Sequence, residues 1–201
     1  MADAKEVEKP VGLFVMNDVI TEDHHAKAIA FLSGIPCEKY HPITARGKHR
    51  IRIGFGRPAK NEKPVPDELK HLLPVMLEWL KSEAGPELLA MLNKFDLENY
   101  RLTINQYEPG WGLGDHYDTK AGEDAIVIGL TLCPNADTTR RMMFTKGEKD
   151  ANGKKVTHAV LTRAKSAYVF WKDGYTDWKH GSKANKKQKG LVYSISFRYN
   201  C

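Results

Sequence analysis

Residues 103–118 read TINQYEPGWGLGDHYD and mark the point at which the character of the chain changes. The stretch opens with alternating polar and apolar side chains, a period of two that is typical of a β-strand. A Pro- and Gly-containing turn follows, and His116 and Asp118 come directly after it. On an extended backbone these two side chains project to one face, about 7 Å apart, so they can bind one ion from the same side.

Downstream of this stretch, short β-rich runs alternate with turn residues. The runs are AIVIGLTL (125–132), MMFT (142–145), VTHAVL (156–161), AYVFW (167–171) and LVYSISFRY (191–199). Asn152-Gly153 favours a tight turn and predicts a hairpin between 142–145 and 156–161. Six or more short strands in about a hundred residues favour a sandwich or barrel.

Upstream of residue 100, helical signals predominate. A short strand is predicted at 12–16, and Thr21 offers a side-chain oxygen to cap a helix that follows it. Leucines between 69 and 80 recur at helical spacing. Pro74 interrupts them, so we expect either a kinked helix or two short helices.

Length and composition limit the class of protein. The 201 residues, 41% apolar and 28% charged, suit one globular domain, which we expect to be a monomer. No long apolar run predicts a membrane span or a secretory signal, so an intracellular protein of the nucleus or cytoplasm is expected. Three widely spaced cysteines argue against a disulfide scaffold.

The net charge of +6 favours a polyanionic partner, although it does not identify one. Basic residues concentrate at 46–60 and at 183–189, and each group can be an ordinary solvated loop. Within the first group, residues 50–56 read RIRIGFG. Their alternation predicts a strand that either binds phosphates or is an amphipathic edge strand protected by charge.

A third candidate ligand lies far along the chain, at His180 in DWKHGS. Two imidazoles and one carboxylate form the facial triad of non-haem Fe(II) oxygenases, which leaves adjacent positions open on the metal. A His-x-Asp pair alone is a weak signal, since about half an instance is expected by chance in this composition. The surrounding sequence must therefore decide its meaning.

That surrounding sequence resembles the AlkB family of iron(II)- and 2-oxoglutarate-dependent dioxygenases. Residues 103–118 are similar to the family's N-x-Y…P-G…L…H-x-D segment, 167–182 to the stretch leading to its distal histidine, and 194–198 to its closing strand. RIRIGFG and the following PVPDELKHLL (64–73) are similar to its substrate-recognition region and next helix. The resemblance covers roughly residues 12–200.

The resemblance implies a mainly β fold with N-terminal helices around a double-stranded β-helix (jelly-roll) core. We expect a flexible N-terminus at 1–11 and a helical, substrate-recognition lid region at 12–100. The catalytic core is expected at 101–201, with 12–201 forming one integrated domain.

The resemblance also implies the site residues and the cofactors Fe(II), 2-oxoglutarate and O2. Iron ligation falls to His116, Asp118 and His180. Contacts to 2-oxoglutarate fall to Asn105, Tyr107, Ser196 and Arg198. Substrate contacts fall to Arg50, Arg52, Phe55, Lys120 and Trp171, with Phe55 stacking on an extruded base and Trp171 near the metal.

Two positions depart from the family pattern. Its closing strand usually carries two arginines six residues apart that serve the co-substrate, but the first position here is Val192. Arg198 would then work without that partner, helped by Tyr107, Ser194 or Ser196. Lys120 stands where the bacterial founding member has an acidic residue implicated in base recognition.

The expected activity is oxidative demethylation of alkylated bases in DNA or RNA, in DNA repair or RNA modification. One alternative is demethylation or hydroxylation of a protein side chain by the same fold. Another is a catalytically weak nucleic-acid-binding relative, motivated by Val192.

Overall fold

The computed structural model describes residues 9–35, 41–43, 50–56, 64–118 and 125–199. Within these ranges the strands are β1 (Leu13–Met16), β2 (His41–Ile43), β3 (Arg50–Gly56), β4 (Arg101–Tyr107), β5 (Leu113–His116), β6 (Ile126–Leu132), β7 (Thr139–Lys149), β8 (Lys155–Arg163), β9 (Ser166–Trp171), β10 (Trp178–Ser182) and β11 (Val192–Tyr199). The helices are α1 (Glu22–Gly34), α2 (Asp67–Lys70), α3 (Leu72–Glu83), α4 (Pro86–Asn93) and α5 (Asp173–Thr176).

The strands form two antiparallel sheets. The larger has the order β1-β9-β6-β11-β4-β3-β2, and the smaller has the order β5-β10-β7-β8. Side chains of both sheets share one apolar cluster, which includes Val127 and Phe170 of the larger sheet and Phe144 and Val160 of the smaller. The predicted mainly β jelly-roll fold with N-terminal helices is therefore confirmed.

The helices cover the outer face of the larger sheet. On β4, Leu102 and Ile104 join the main core with buried leucines of α1, α3 and α4, whereas Asn105 and Tyr107 border a cavity between the sheets. Because side chains alternate between the two faces of a strand, each central strand serves both the helical layer and the interior. The period-two pattern of the sequence thus separates the apolar side chains that pack under the helices from the polar side chains that border the cavity.

Local signals upstream of residue 100 are also confirmed. Thr21 is the N-cap of α1, and its hydroxyl accepts a hydrogen bond from the His24 amide. The leucine-rich stretch forms two helices, α2 and α3, which separate at His71. Pro74 lies in the first turn of α3, where the missing N–H has no intrahelical partner to lose.

The predicted hairpin exists and is longer than expected. Strands β7 and β8 pair from Thr139 opposite Arg163 to Lys149 opposite Lys155. Gly153 in the connecting turn has a φ of 73°, in the left-handed region that glycine adopts without strain.

The RIRIGFG strand is not at the edge of its sheet. As β3 it pairs with β4 on one side and with β2 on the other, so the edge-strand interpretation is wrong and β2 takes that place. The region before residue 100 contributes three strands to the larger sheet as well as helices. Among the described residues, no helix has the length and hydropathy needed to cross a membrane.

Candidate metal centre

His116, Asp118 and His180 meet between the two sheets, with one ligand atom from each lying within 4.8 Å of the others. The Oδ1 atom of Asp118 lies 3.8 Å from Nε2 of His116 and 3.8 Å from Nε2 of His180. Two imidazole nitrogens and one carboxylate oxygen make up the donor set of a facial triad for non-haem Fe(II). The residues present therefore fit the ion that the sequence resemblance implies.

Strand pairing brings the two histidines together. His116 at the end of β5 is the Cα partner of His180 on β10, and their rings lie 4.4 Å apart between centroids. Nδ1 of His116 donates a hydrogen bond to the Gly114 carbonyl at 2.9 Å, so Nδ1 carries the proton and Nε2 is the nitrogen whose lone pair can bind a metal. Backbone geometry thus selects the tautomer that can bind a metal.

Asp118 has a charged partner on its other oxygen. Nε of Arg198 donates to Oδ2 at 3.0 Å, and both side chains are largely buried. Burial alone would raise the pKa of the Asp118 carboxyl, but the Arg198 guanidinium and the nearby His180 outweigh it and hold that pKa below its ordinary value. The carboxylate is therefore ionised and ready to bind a cation.

A narrow cavity adjoins this triad. Its lining comes from both sheets: Asn105, Tyr107, Leu113, His116, Val127, Met142, Tyr168, Phe170, His180, Ser194, Ser196 and Arg198. All four residues predicted to contact 2-oxoglutarate line this cavity. Oδ1 of Asn105 is buried and has no hydrogen-bond partner among the described residues, so it can accept a bond from a ligand there.

The aromatic residue beside the metal centre is Phe170 and not Trp171. The Phe170 ring lies 4.7 Å from that of His180 and lines the cavity. Trp171 belongs to the core under the helices, on the opposite face of the larger sheet. The prediction that Trp171 borders the site is therefore wrong, and the preceding residue, Phe170, takes that position. Consecutive residues of a strand point to opposite faces of the sheet, so only one of the two can face the cavity.

The structure brings fewer of the predicted substrate contacts to the site. Phe55 is buried in the helical core beside its strand partner Leu102, a position that favours packing over stacking on a base. Arg52 is the Cα partner of Asn105. For the two arginines of β3, Arg50 and Arg52, the structure describes the backbone and not the side chains. Lys120 lies outside the described residues.

One buried polar residue escaped the sequence analysis. Arg140 on β7 is 2% exposed, and its guanidinium carbon lies 3.5 Å from the centre of the Tyr107 ring. The signal was available, because Arg140, Met142 and Phe144 share one face of a strand by period two. The adjacent Arg141 is exposed, and two consecutive arginines are typical of a charged surface, so the sequence did not single out Arg140 as buried.

Comparison with known proteins gives distant relatives in sequence. No family model matches the chain. It is 28% identical over 179 residues to the mouse tRNA (carboxymethyluridine(34)-5-O)-methyltransferase ALKBH8, covering 86% of this chain and 24% of that protein. It is 26% identical over 119 residues to the uncharacterized protein L905 of Acanthamoeba polyphaga mimivirus, covering 59% of this chain and 48% of the viral one. The chain thus spans half or less of these relatives' lengths.

Two solved structures share its fold over nearly the full length. OsALKBH1 superposes with a TM-score of 0.60 at 14% identity, covering 96% of this chain and 98% of the other. A prolyl-4-hydroxylase from Pseudomonas putida gives 0.59 at 14% identity, with 94% of each chain covered. The sequence relative and these shared folds confirm the AlkB-like resemblance, while the activity and the substrate of this chain are separate questions.

Proposed function

From its AlkB-like dioxygenase fold, we propose that this protein uses Fe(II), O2 and 2-oxoglutarate to demethylate alkylated bases in DNA or RNA oxidatively. The observation that carries the proposal is the convergence of His116, Asp118 and His180 within 4.8 Å. The triad adjoins a cavity whose polar lining suits an α-keto acid. This combination is what an oxygenase needs and what a plain binding module does not.

With O2 as the oxidant, the bound metal would direct one oxygen atom to a substrate C–H bond as a hydroxyl, while the other oxygen atom would oxidise 2-oxoglutarate to succinate and CO2. An N-methyl group hydroxylated in this way collapses to formaldehyde and a demethylated nitrogen. The protein itself would bind and orient the substrate and co-substrate and would exclude water from the reacting centre. No side chain of this site is required as a general base.

The residues of the triad and of the cavity have distinct tasks in this proposal. His116 presents Nε2 because the Gly114 carbonyl holds its Nδ1 proton. Arg198 keeps the Asp118 carboxylate ionised and oriented, and it can hold the near end of the co-substrate. Phe170, Val127 and Met142 supply an apolar wall that limits water around the reacting centre.

A nucleic-acid substrate is supported by charge and by strand position. The chain carries a net charge of +6, and the arginine-bearing β3 lies directly beside β4, which carries Asn105. Lys and Arg side chains along a strand provide phosphate contacts that position a nucleic acid without reading its sequence. The mouse relative is, by its name, a tRNA methyltransferase, and the present chain matches only a quarter of it.

The deciding experiment offers the protein three substrates in parallel, each with Fe(II), ascorbate and 2-oxoglutarate. They are an N-methylated DNA oligonucleotide, the same sequence as RNA, and a methyl-lysine peptide of equal length. Formaldehyde release and loss of the methyl mass from either oligonucleotide are expected. A His180→Ala protein is the matched control and should release none.

The salt dependence of binding provides a second measurement. If Lys and Arg neutralise phosphates, affinity for the oligonucleotide falls steeply and log-linearly with salt. Turnover of the peptide alone, with affinity insensitive to salt, would replace the proposal by the protein-directed alternative. Consumption of 2-oxoglutarate without change in any of the three would refute both substrate assignments.

A further inference from the structure

Arg140 is a buried cation in a largely neutral setting. It comes from β7 of the smaller sheet and is 2% exposed. Nη1 donates to Oε1 of Gln188 at 3.1 Å, and Nη2 donates to the Trp111 carbonyl at 3.3 Å. Its guanidinium stacks on the Tyr107 ring.

Among the residues that the structure describes, these contacts bring no opposite charge to Arg140. Within the part of the chain that the structure describes, no carboxylate forms an ion pair with Arg140, and its Nε is buried without an acceptor. Burial lowers the pKa of the guanidinium, yet arginine stays charged in proteins. A buried charge without an opposite charge is costly, so a residue in this state calls for an anionic ligand.

The position of Arg140 matches the position of the missing arginine. Val192 is the Cα partner of Tyr107, and Arg140 lies against the ring of that same tyrosine from the other sheet. Val192 packs with Cys133, and the Cys133 thiol is also an electrostatic neighbour of Arg140. Val192 on β11 and Arg140 on β7 are therefore both neighbours of Tyr107, a residue that lines the cavity.

We propose that Arg140 binds the distal carboxylate of 2-oxoglutarate and replaces the arginine that is absent at position 192. The inference rests on the proposed use of 2-oxoglutarate and adds the residue that selects it. Each Nη carries a second N–H beyond those bonded to Gln188 and Trp111, so the guanidinium has donors left for a carboxylate. Tyr107 lines the cavity with His116 and His180 and contacts Arg140, so in this proposal the metal holds one end of the ligand and Arg140 holds the other.

The consequence is selectivity for a dianionic keto acid. Pyruvate offers the same keto acid group to a metal but lacks the second carboxylate. Arg140 should therefore contribute to binding of 2-oxoglutarate and contribute nothing to binding of pyruvate. A residue that only supports the fold would affect the two ligands alike.

The test measures binding and not turnover. Calorimetric titration of 2-oxoglutarate and of pyruvate is carried out on Mn(II)-loaded protein without oxygen, for the wild type, Arg140→Gln and Arg141→Gln. Loss of Arg140 should weaken 2-oxoglutarate at least about thirtyfold, as expected for truncating one partner of a buried charged pair. Pyruvate affinity should stay within threefold, and the exposed neighbour Arg141 should behave as wild type.

Two further variants keep the result interpretable. Arg140→Met has similar length and buries no unpaired charge, so it serves if the glutamine variant does not fold. The Arg140→Gln/Val192→Arg double variant returns a guanidinium to the same tyrosine and should regain most of the lost affinity for 2-oxoglutarate.

The possible failures are separable. A folded Arg140 variant that binds 2-oxoglutarate within threefold of wild type would overturn the role of Arg140 and leave the proposed function intact. An equal loss for both keto acids would reduce Arg140 to a structural residue. A wild-type protein that binds no 2-oxoglutarate would overturn the proposed function, and the role of Arg140 with it.

Discussion

Arg198 donates a hydrogen bond from Nε to Oδ2 of Asp118 over 3.0 Å, although 80 residues of chain separate the two. The other oxygen of that carboxylate faces Nε2 of both His116 and His180 at 3.8 Å. The closing strand is therefore joined directly to the metal centre. Changes in Arg198 should act on the carboxylate and on the co-substrate together.

Arg198→Lys keeps the charge and removes the planar fork of donors. We expect the affinity of Mn(II)-loaded protein for 2-oxoglutarate to fall about tenfold, the value of one hydrogen bond to a charged group. Calorimetric titration measures it. Arg163→Lys, in an exposed ion pair with Asp18, is the matched control and should change nothing. Equal affinity in both variants would contradict a role for the fork.

Single alanine substitutions of His116, Asp118 and His180 should each weaken Mn(II) binding by at least about a hundredfold. Each removes one of three protein ligands, a larger loss than that of an outer contact. Titration followed by the Mn(II) EPR signal checks this. His158→Ala changes a histidine outside the triad and should bind as wild type; a similar loss there would show that the triad is not the site.

Trp171→Phe should leave the metal centre intact. The indole lies in the helical core, and its buried Nε1 has no acceptor among the described residues, so phenylalanine keeps the packing and removes an unsatisfied donor. We expect a change in unfolding free energy below about 1.5 kcal/mol and Mn(II) affinity within twofold of wild type. Phe170→Leu, on the cavity side, should alter Mn(II) or 2-oxoglutarate binding. If Trp171→Phe weakened Mn(II) binding and Phe170→Leu changed neither affinity, Trp171 and not Phe170 would border the metal centre.

Gly129→Ala should destabilise the protein through one specific overlap. Gly129 and Tyr168 are Cα partners on β6 and β9, and a Cβ at 129 would overlap the Tyr168 ring. We expect a loss of about 1–3 kcal/mol in urea unfolding, typical of overpacking. In a Tyr168→Leu background the same change should cost much less. Additive costs would mean that the two residues do not compete for space.

Cys133 should resist alkylation in the folded protein. Burial raises the pKa of its thiol to about 12 and also blocks access of reagent. At pH 8 roughly one thiol in ten thousand is then ionised. Iodoacetamide labelling with peptide mass spectrometry should find Cys133 unmodified in native protein and modified in urea. Rapid native labelling would show that this part of the interior opens.

The sequence predicted much of the fold because its signals are local. The alternation at 103–107 identified β4, and the hydroxyl of Thr21 identified the start of α1. The triad was predicted from the family resemblance around His116, Asp118 and His180, because a His-x-Asp pair alone is a weak signal. The strand and helix signals depend on which residues lie next to one another along the chain, whereas the meeting of His180 with His116 depends on strand pairing.

Errors arose where the opposite faces of a strand had to be told apart. Trp171 was placed near the metal, where the structure has Phe170, and Phe55 was assigned to substrate although it alternates in step with Ile51 and Ile53. The edge-strand alternative for 50–56 was also wrong, because β2 supplies the edge instead. In each case the strand itself was predicted correctly, but the residues or strands that lie next to it were not.

By itself, the sequence determined most strands of the larger sheet, the start of α1 and the three residue types that can bind a ferrous ion, but not the strands β2, β5 and β10. Only the tertiary structure decided that Arg140 lies against Tyr107, where Val192 leaves no guanidinium. The physical reason is that strand periodicity sets which side chains share a face. Which faces then enclose a common interior depends on packing between sheets, through contacts between residues far apart in the chain.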